Sequence, residues 1–310
     1  MNDVIIIGAG AAGYTAGIYA KRYGLEPLLI GAIPGGMATN AYKIENWPGV
    51  PSISGVDLMD NFQKHASGLG VEIINDQVMA LKKKSEINNT MFSVSTASGE
   101  KYEAPTLILA LGTTRRKLGV PGEAKLSGKG VAYCATCDAP FFKGKTVAVV
   151  GGSNAATMAA MLLSQYCPQI YVIARGAELK GEPVWIDRVL KNDKIKVVYN
   201  TNVTAIEGEK TVTAVKLDKP LAGKDKLAVD GVFVEIGAIP ESVLAEKLGV
   251  ELAESKRIKV KSNQATNLPG VYAAGDITDK TGHFEQIVNS AYQGALAAYS
   301  VYQYLSDQNK

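Results

Sequence analysis

The chain is poor in the residues that build metal and disulfide scaffolds, with three cysteines and two histidines in 310 residues. Zinc needs four ligands, and beyond one C-x-x-C pair only Cys167, His65 and His283 could contribute. None of these forms a second closely spaced pair, so a zinc knuckle is disfavoured and no metal is expected. A disulfide-stapled secreted domain is disfavoured on the same count. Charge of one sign is also lacking: the formal net charge is +3, too small to argue for nucleic acid. Lys82–Lys84 and Arg115–Lys117 read as solvated surface clusters, with guidance of an acidic partner by Arg115 and Arg116 the alternative. No apolar run approaches the length of a membrane span. The opening segment lacks the basic start of a signal peptide, carries Asp3, and is broken by Gly8 and Gly10. A cytoplasmic protein is the default expectation.

What is present is a pattern stated twice. Val4–Ile7 reads as a buried parallel strand, followed by Gly8, Gly10 and Gly13, an alanine-rich helix to about Tyr23, and a second strand over Pro27–Ile30. The pattern restarts at Thr146–Val150, continues through a helix from Asn154 to Tyr166, and returns at Ile170–Ile173. Two βαβ units imply an α/β fold with two Rossmann-like domains. A strand ending in Gly275 and Asp276 and a helix from about Gln286 to Leu305 close the chain.

In a strand–loop–helix setting, G-x-G-x-x-G seats a dinucleotide pyrophosphate. The first glycine makes the turn, the second admits the phosphate, and the third lets helix and strand approach. The acid that often ends the second strand is missing, its place taken by Gly31. These residues alone do not choose between flavin and nicotinamide. Between the two nucleotide motifs lie Cys134 and Cys137 as C-x-x-C, followed by Asp138. Two thiols at this spacing can close and reopen a disulfide, and a helix start favours the thiolate. Cys167, in an apolar stretch beside Pro168, reads as a buried inert thiol.

Several segments together resemble the low-molecular-weight thioredoxin reductases nearly end to end. They are Gly8–Gly13, Gly35–Met37, Glu45–Gly49, Ala110–Thr113, Tyr133–Asp138 and Ala274–Asp276. The resemblance implies FAD, held by Gly8, Gly10, Ala12 and Gly13, with Asp276 on the ribityl chain and Gln286 and Ile287 at the pyrimidine edge. Gly36, Met37, Asn46, Val78 and Gly112 would line the remainder, although Asn46 and Gly112 read equally well as a turn residue and a packing glycine. In this family a missing acid after the second strand is usual. The resemblance also implies that Cys137 faces the flavin, Cys134 attacks a disulfide in a thioredoxin-like protein, and Asp138 manages protons. It implies a homodimer.

The second loop departs from the family. It reads Gly151, Gly152, Ser153, Asn154, Ala155, with serine where NADPH-using members carry glycine. The arginines that clamp the 2′-phosphate reduce to Arg175 and Lys180, with Gly176 and Glu178 between them. Two readings compete: NADPH or NADH bound through Arg175 and Lys180, or a different donor such as ferredoxin or a deazaflavin. The domain boundaries expected are 1–114 and 246–310 for the FAD-binding domain and 115–245 for the inserted one, with hinges near Thr113–Thr114 and Pro240–Glu241. Two rival functions are the flavoprotein component of a peroxide-reducing system, disfavoured because no thioredoxin-like module precedes the first loop, and a redox-sensing protein.

Overall fold

The computed structural model describes residues 2–86, 89–281 and 284–308. Four consecutive apolar residues, all buried, make Val4–Ile7 (β1) a strand covered on both faces. It feeds Ala11–Arg22 (α1), then Pro27–Ile30 (β2) parallel to β1 with Val4 opposite Pro27. Gly55–Gly68 (α2) starts at Ser54, whose hydroxyl accepts from the Asp57 amide at 3.0 Å. Glu72–Ile74 (β3) joins β2 in parallel. An antiparallel sheet follows from Val78–Glu86 (β4), Asn89–Thr96 (β5) and Lys101–Ala104 (β6), and Thr106–Leu109 (β7) returns beside β1. Thr113–Arg115 (β8) carries the chain out of this unit.

The second unit holds Glu123–Leu126 (α3), Val131–Ala132 (β9), Ala135–Asp138 (α4), Thr146–Val150 (β10), Asn154–Leu163 (α5) and Gln169–Ile173 (β11). Pro183–Leu190 (α6) and Ile195–Val198 (β12) complete the helix–strand alternation. A second antiparallel sheet is built from Val203–Glu207 (β13), Ala214–Leu221 (β14) and Lys224–Ala228 (β15). Gly231–Val234 (β16) re-enters the parallel sheet, and Ala238–Pro240 (β17) pairs with β8 where the chain leaves the unit. Val243–Leu248 (α7), Val271–Ala273 (β18) and the long Ile287–Gln308 (α8) finish the first unit.

The units are residues 1–39, 43–114 and 240–310, and residues 40–42 and 115–239. The second crossing therefore falls at 239–240 rather than at the expected 245–246. The reason is α7: Ala245 is fully buried, with Leu244 and Leu248 beside it, in the first unit's cluster of Ile5, Ile7, Leu28 and Leu107.

The two parallel sheets run β18-β7-β1-β2-β3 and β12-β11-β10-β16-β9. Each reverses its strand order beside the strand that precedes a glycine loop, at β7/β1 and at β16/β10. Open α/β sheets bind ligands at the carboxyl ends of strands at such a reversal. No helix among the described residues is long and apolar enough to cross a membrane.

Candidate active site

At the first reversal, Gly8 has φ +116°, and a Cβ there would stand 2.1 Å from the Ala110 carbonyl oxygen at the end of β7. A Cβ on Gly13 would stand 1.8 Å from the Gly8 oxygen, so α1 rests directly on the loop. A Cβ on Gly10 would meet nothing within 4 Å. Gly10 begins α1 without a side-chain cap and with no acid in the first turn. The helix N-terminus thus faces open space with its positive dipole end. The Gly35 amide donates to Ala9 O at 2.7 Å, and a Cβ on Gly36 would come within 3.3 Å of Gly10 Cα. This brings the Gly35–Met37 turn to the mouth of the loop. The cradle suits a pyrophosphate.

Gly31 explains the missing acid. A Cβ there would lie 2.5 Å from the Ala9 amide nitrogen, so no side chain fits.

The end of β18 completes this rim. Gly275 has φ +84°, and its amide donates to Gln293 Oε1 at 2.9 Å, as does the Thr278 hydroxyl at 2.9 Å. Gln293 is buried on α8, and sequence reasoning missed it because a glutamine in an amphipathic helix carries no signal. A Cβ on Gly294 would lie 2.2 Å from Ala12 O, so α8 crosses α1 at near-backbone contact. Asp276 is largely removed from water, which lifts its carboxyl to about 6; Glu285 adds to the rise, while Ser290, at 3.3 Å from Oδ1, and Arg257 oppose it. Asn46 donates to Gln286 Oε1 at 3.0 Å, immediately before Ile287 opens α8. Gly112 has φ +65° and open space where a Cβ would be. Val78 is buried in the cluster that holds Leu81, Ile7 and Leu28.

In the second unit, Cys134 and Cys137 are closed as a disulfide with Cα atoms 5.3 Å apart. Cys134 starts α4 and accepts from the Cys137 amide at 3.2 Å. The helix is a single turn before a 3-10 turn over Ala139–Phe142, so the dipole invoked for the thiolate is that of four residues. Cys137 is exposed and Cys134 half-buried. Asp138 has its carboxyl raised by burial. Beside it Phe141 is 74% exposed, unusual for a phenylalanine.

The strand leading to Cys134 is held by a carboxylate the sequence did not reveal. Buried Glu123 accepts from the amides of Leu118 and Gly119 at 2.8 and 2.7 Å and from the Tyr133 hydroxyl at 2.8 Å. Cys167 is buried against Phe142 O at 3.3 Å, and burial pushes its thiol up to about 11, consistent with an inert thiol.

The second glycine loop repeats the first in outline. A Cβ on Gly151, at φ +143°, would stand 2.1 Å from Glu235 O at the end of β16. Ser153 begins α5 without a side-chain cap, and Ala155 lies in its first turn. Lys180 is brought here: its amide donates to Gly152 O at 2.6 Å and it bridges to Ser153. Asn154 Oδ1 is taken up by the Glu182 amide. Arg175 is exposed at the end of β11. A Cβ on Gly176 would make only ordinary contact, 3.6 Å to Glu178 O, so the backbone does not forbid an arginine there. Deep beside the loop, Glu235 pairs with Arg115 at 2.7 Å, and burial lifts its carboxyl to about 7 against that guanidinium. Among the described residues, no group of three or more His, Cys, Asp or Glu could hold a metal; His283 lies outside them.

A reversible cysteine pair sharing a chain with two nucleotide-type loops is the equipment of an oxidoreductase that works on disulfides. The family model described as pyridine nucleotide-disulphide oxidoreductase matches residues 2–294, and the chain belongs to that family. A thioredoxin reductase of Listeria innocua is 37% identical over 308 residues, covering 98% of this chain and 94% of its own. The crystal structure of T. acidophilum thioredoxin reductase superposes with a TM-score of 0.91 at 37% identity, covering 100% of this chain and 99% of that one. A ferredoxin-flavin thioredoxin reductase from Clostridium acetobutylicum gives 0.52 at 32% identity, covering 99% and 98%.

Proposed function

We propose that this chain is a flavin-dependent reductase that takes electrons from a donor through FAD to the Cys134–Cys137 disulfide and delivers them to a thioredoxin-like protein. The observation that carries the reading is the closed, partly exposed Cys134–Cys137 pair in a chain whose first glycine loop has room beside Gly10, where a Cβ would meet nothing within 4 Å. Gly8, Gly10, Ala12 and Gly13 would hold the pyrophosphate, Asp276 the ribityl chain, and Gln286 and Ile287 the ring edge. Gly36, Met37, Asn46, Val78 and Gly112 would line the rest. When bound, FAD supplies two-electron reduction of the disulfide.

Two electrons and two protons open the disulfide to a dithiol. One thiolate attacks the partner's disulfide, the second cysteine resolves the mixed disulfide, and the internal bond re-forms as the partner leaves with two thiols. Asp138, held above its ordinary pKa by burial, is suited to carry a proton to and from the sulfurs. Cys134 as the attacking thiol rests on the family resemblance, and Cys137 is the alternative. Trapping a mixed disulfide in Cys134→Ser and in Cys137→Ser distinguishes them. Exposed Phe141 offers the partner an apolar contact beside the reacting sulfurs. A homodimer in a reducing, cytoplasmic compartment completes the reading.

For the donor, two observations favour something other than NADPH: Gly176 stands between Arg175 and Glu178, and the Clostridium relative is named for ferredoxin. Against it, Lys180 is held at the loop by its own backbone. The test is anaerobic mixing of the flavin-loaded protein with NADPH, NADH and reduced ferredoxin separately, following bleaching. Bleaching by a nicotinamide assigns the second loop to that donor; bleaching by ferredoxin alone removes the nicotinamide site. Full turnover by both single cysteine variants would end the proposal.

A further inference from the structure

Arg257 sits where a surface arginine has no obvious business. The segment it begins runs beside the turn that follows β18: the Ile258 amide donates to Ile277 O at 2.8 Å, and the Asp279 amide to Ile258 O at 2.9 Å. The Val260 amide adds a bond to Asp279 Oδ1 at 3.2 Å. This pairing delivers the Arg257 guanidinium, 15% exposed, between two pieces of chain. One nitrogen donates to the Asp276 carbonyl oxygen and the other pairs with Glu285. Glu285 lies directly before Gln286 and α8.

An exposed ion pair contributes little, and the neighbouring Lys256–Glu246 pair at 3.5 Å, with both side chains largely in water, is of that kind. Arg257 differs on three counts. Its side chain is mostly out of water, one of its partners is a backbone carbonyl, and it joins two segments 19 and 28 residues further along the chain.

We propose that Arg257 is a positioning residue that ties the Asp276 turn to the entry of α8, and that its pairing with Glu285 sets the charge a bound flavin meets at that rim. The inference rests on the FAD reading above. Charge bookkeeping gives its sign. Arg257 and Glu285 cancel, leaving Asp276, bonded from α8 by Ser290, as the net charge facing the site. Glu285→Gln leaves an uncompensated guanidinium, which favours the electron-rich reduced flavin. Arg257→Gln leaves an uncompensated carboxylate, which disfavours it, and also cuts the tether. Arg257→Lys restores the charge without the two-pronged reach.

The test compares these three variants with wild type in FAD dissociation, flavin midpoint potential and melting of the cofactor-free protein. Arg257→Gln is expected to bind FAD at least tenfold more weakly with a more negative potential. Glu285→Gln is expected to hold FAD within threefold of wild type with a more positive potential. Arg257→Lys is expected to keep the potential near wild type while binding FAD weakly. Potential shifts of the same sign in Arg257→Gln and Glu285→Gln, or unchanged FAD binding in Arg257→Gln, overturn the proposal. Should Arg257→Gln fail to fold, the absence of a positive shift in Glu285→Gln overturns it. Wild type that takes up no FAD defeats the FAD reading instead, a result distinct from wild type that binds FAD beside variants that do not differ from it.

Discussion

Two glycines three residues apart, Gly10 and Gly13, make opposite demands, and a methyl group at each separates folding from cofactor binding. At Gly10 the backbone φ is −97°, open to alanine, and the added Cβ touches nothing within 4 Å. Gly10→Ala should therefore fold with a stability within about 1 kcal/mol of wild type, the usual range for a glycine replaced at a permitted conformation. The same methyl points into the space assigned to the pyrophosphate, and a hundredfold loss of FAD affinity, about 2.8 kcal/mol, is expected. At a FAD concentration one hundred times the wild-type dissociation constant, ligand stabilisation of about 2.7 kcal/mol should fall to about 0.4 kcal/mol. Gly13→Ala behaves in reverse, because its Cβ would stand 1.8 Å from the Gly8 oxygen. Forcing α1 off the loop costs on the order of 3 kcal/mol before any cofactor is present. The assay is urea unfolding of each cofactor-free protein, repeated with FAD. Wild-type FAD affinity in Gly10→Ala would refute the pyrophosphate assignment, and failure of that variant to fold would refute the packing argument.

Asp276→Asn tests the buried carboxyl. An aspartate whose folded pKa of about 6 exceeds its unfolded value binds its proton more tightly in the fold, so its contribution is full below about 4 and is lost as pH rises through 6. Cofactor-free Asp276→Asn should therefore gain on wild type by up to about 2 to 3 kcal/mol at pH 8, with the gap closing by pH 4; a gap that does not change with pH refutes it. Phe141→Ala should raise KM for a thioredoxin-like substrate about tenfold while leaving reduction of a small aromatic disulfide unchanged; parallel loss of both would make Phe141 structural. Gly176→Arg should tighten NADPH binding about tenfold through a charge-assisted phosphate contact and leave NADH unchanged, as titration calorimetry would show. Equal effects on both nucleotides would place residue 176 away from the 2′-phosphate.

The parallel strands were legible because burial on both faces leaves nothing but apolar residues, as at Val4–Ile7 and residues 147–150. The glycine loops were legible because their turns tolerate no side chain at Gly8 or Gly151. What could not be read depends on neighbours far along the chain. Glu123 looks like any surface glutamate until Leu118, Gly119 and Tyr133 converge on it. Gln293 and Arg257 act on Gly275 and Asp276 across 18 and 19 residues, and no local pattern announces either. The domain edge expected at 245–246 moves back to the hinge expected near Pro240–Glu241 because α7 buries Ala245 in the first unit.

The close approach of Gly31 to Ala9 has a consequence for how this chain can change. A carboxylate at the end of β2 is the usual means of grasping a ribose, and here even one methyl would stand 2.5 Å from a backbone nitrogen. No single substitution can install that acid. Any evolutionary or engineered drift of the first loop toward nicotinamide must first re-route the backbone at Ala9, which Gly35 also holds by a hydrogen bond. The second loop differs, because a side chain at Gly176 would make only ordinary contact. One strand end is closed to a side chain by its own backbone, and the other is open to one.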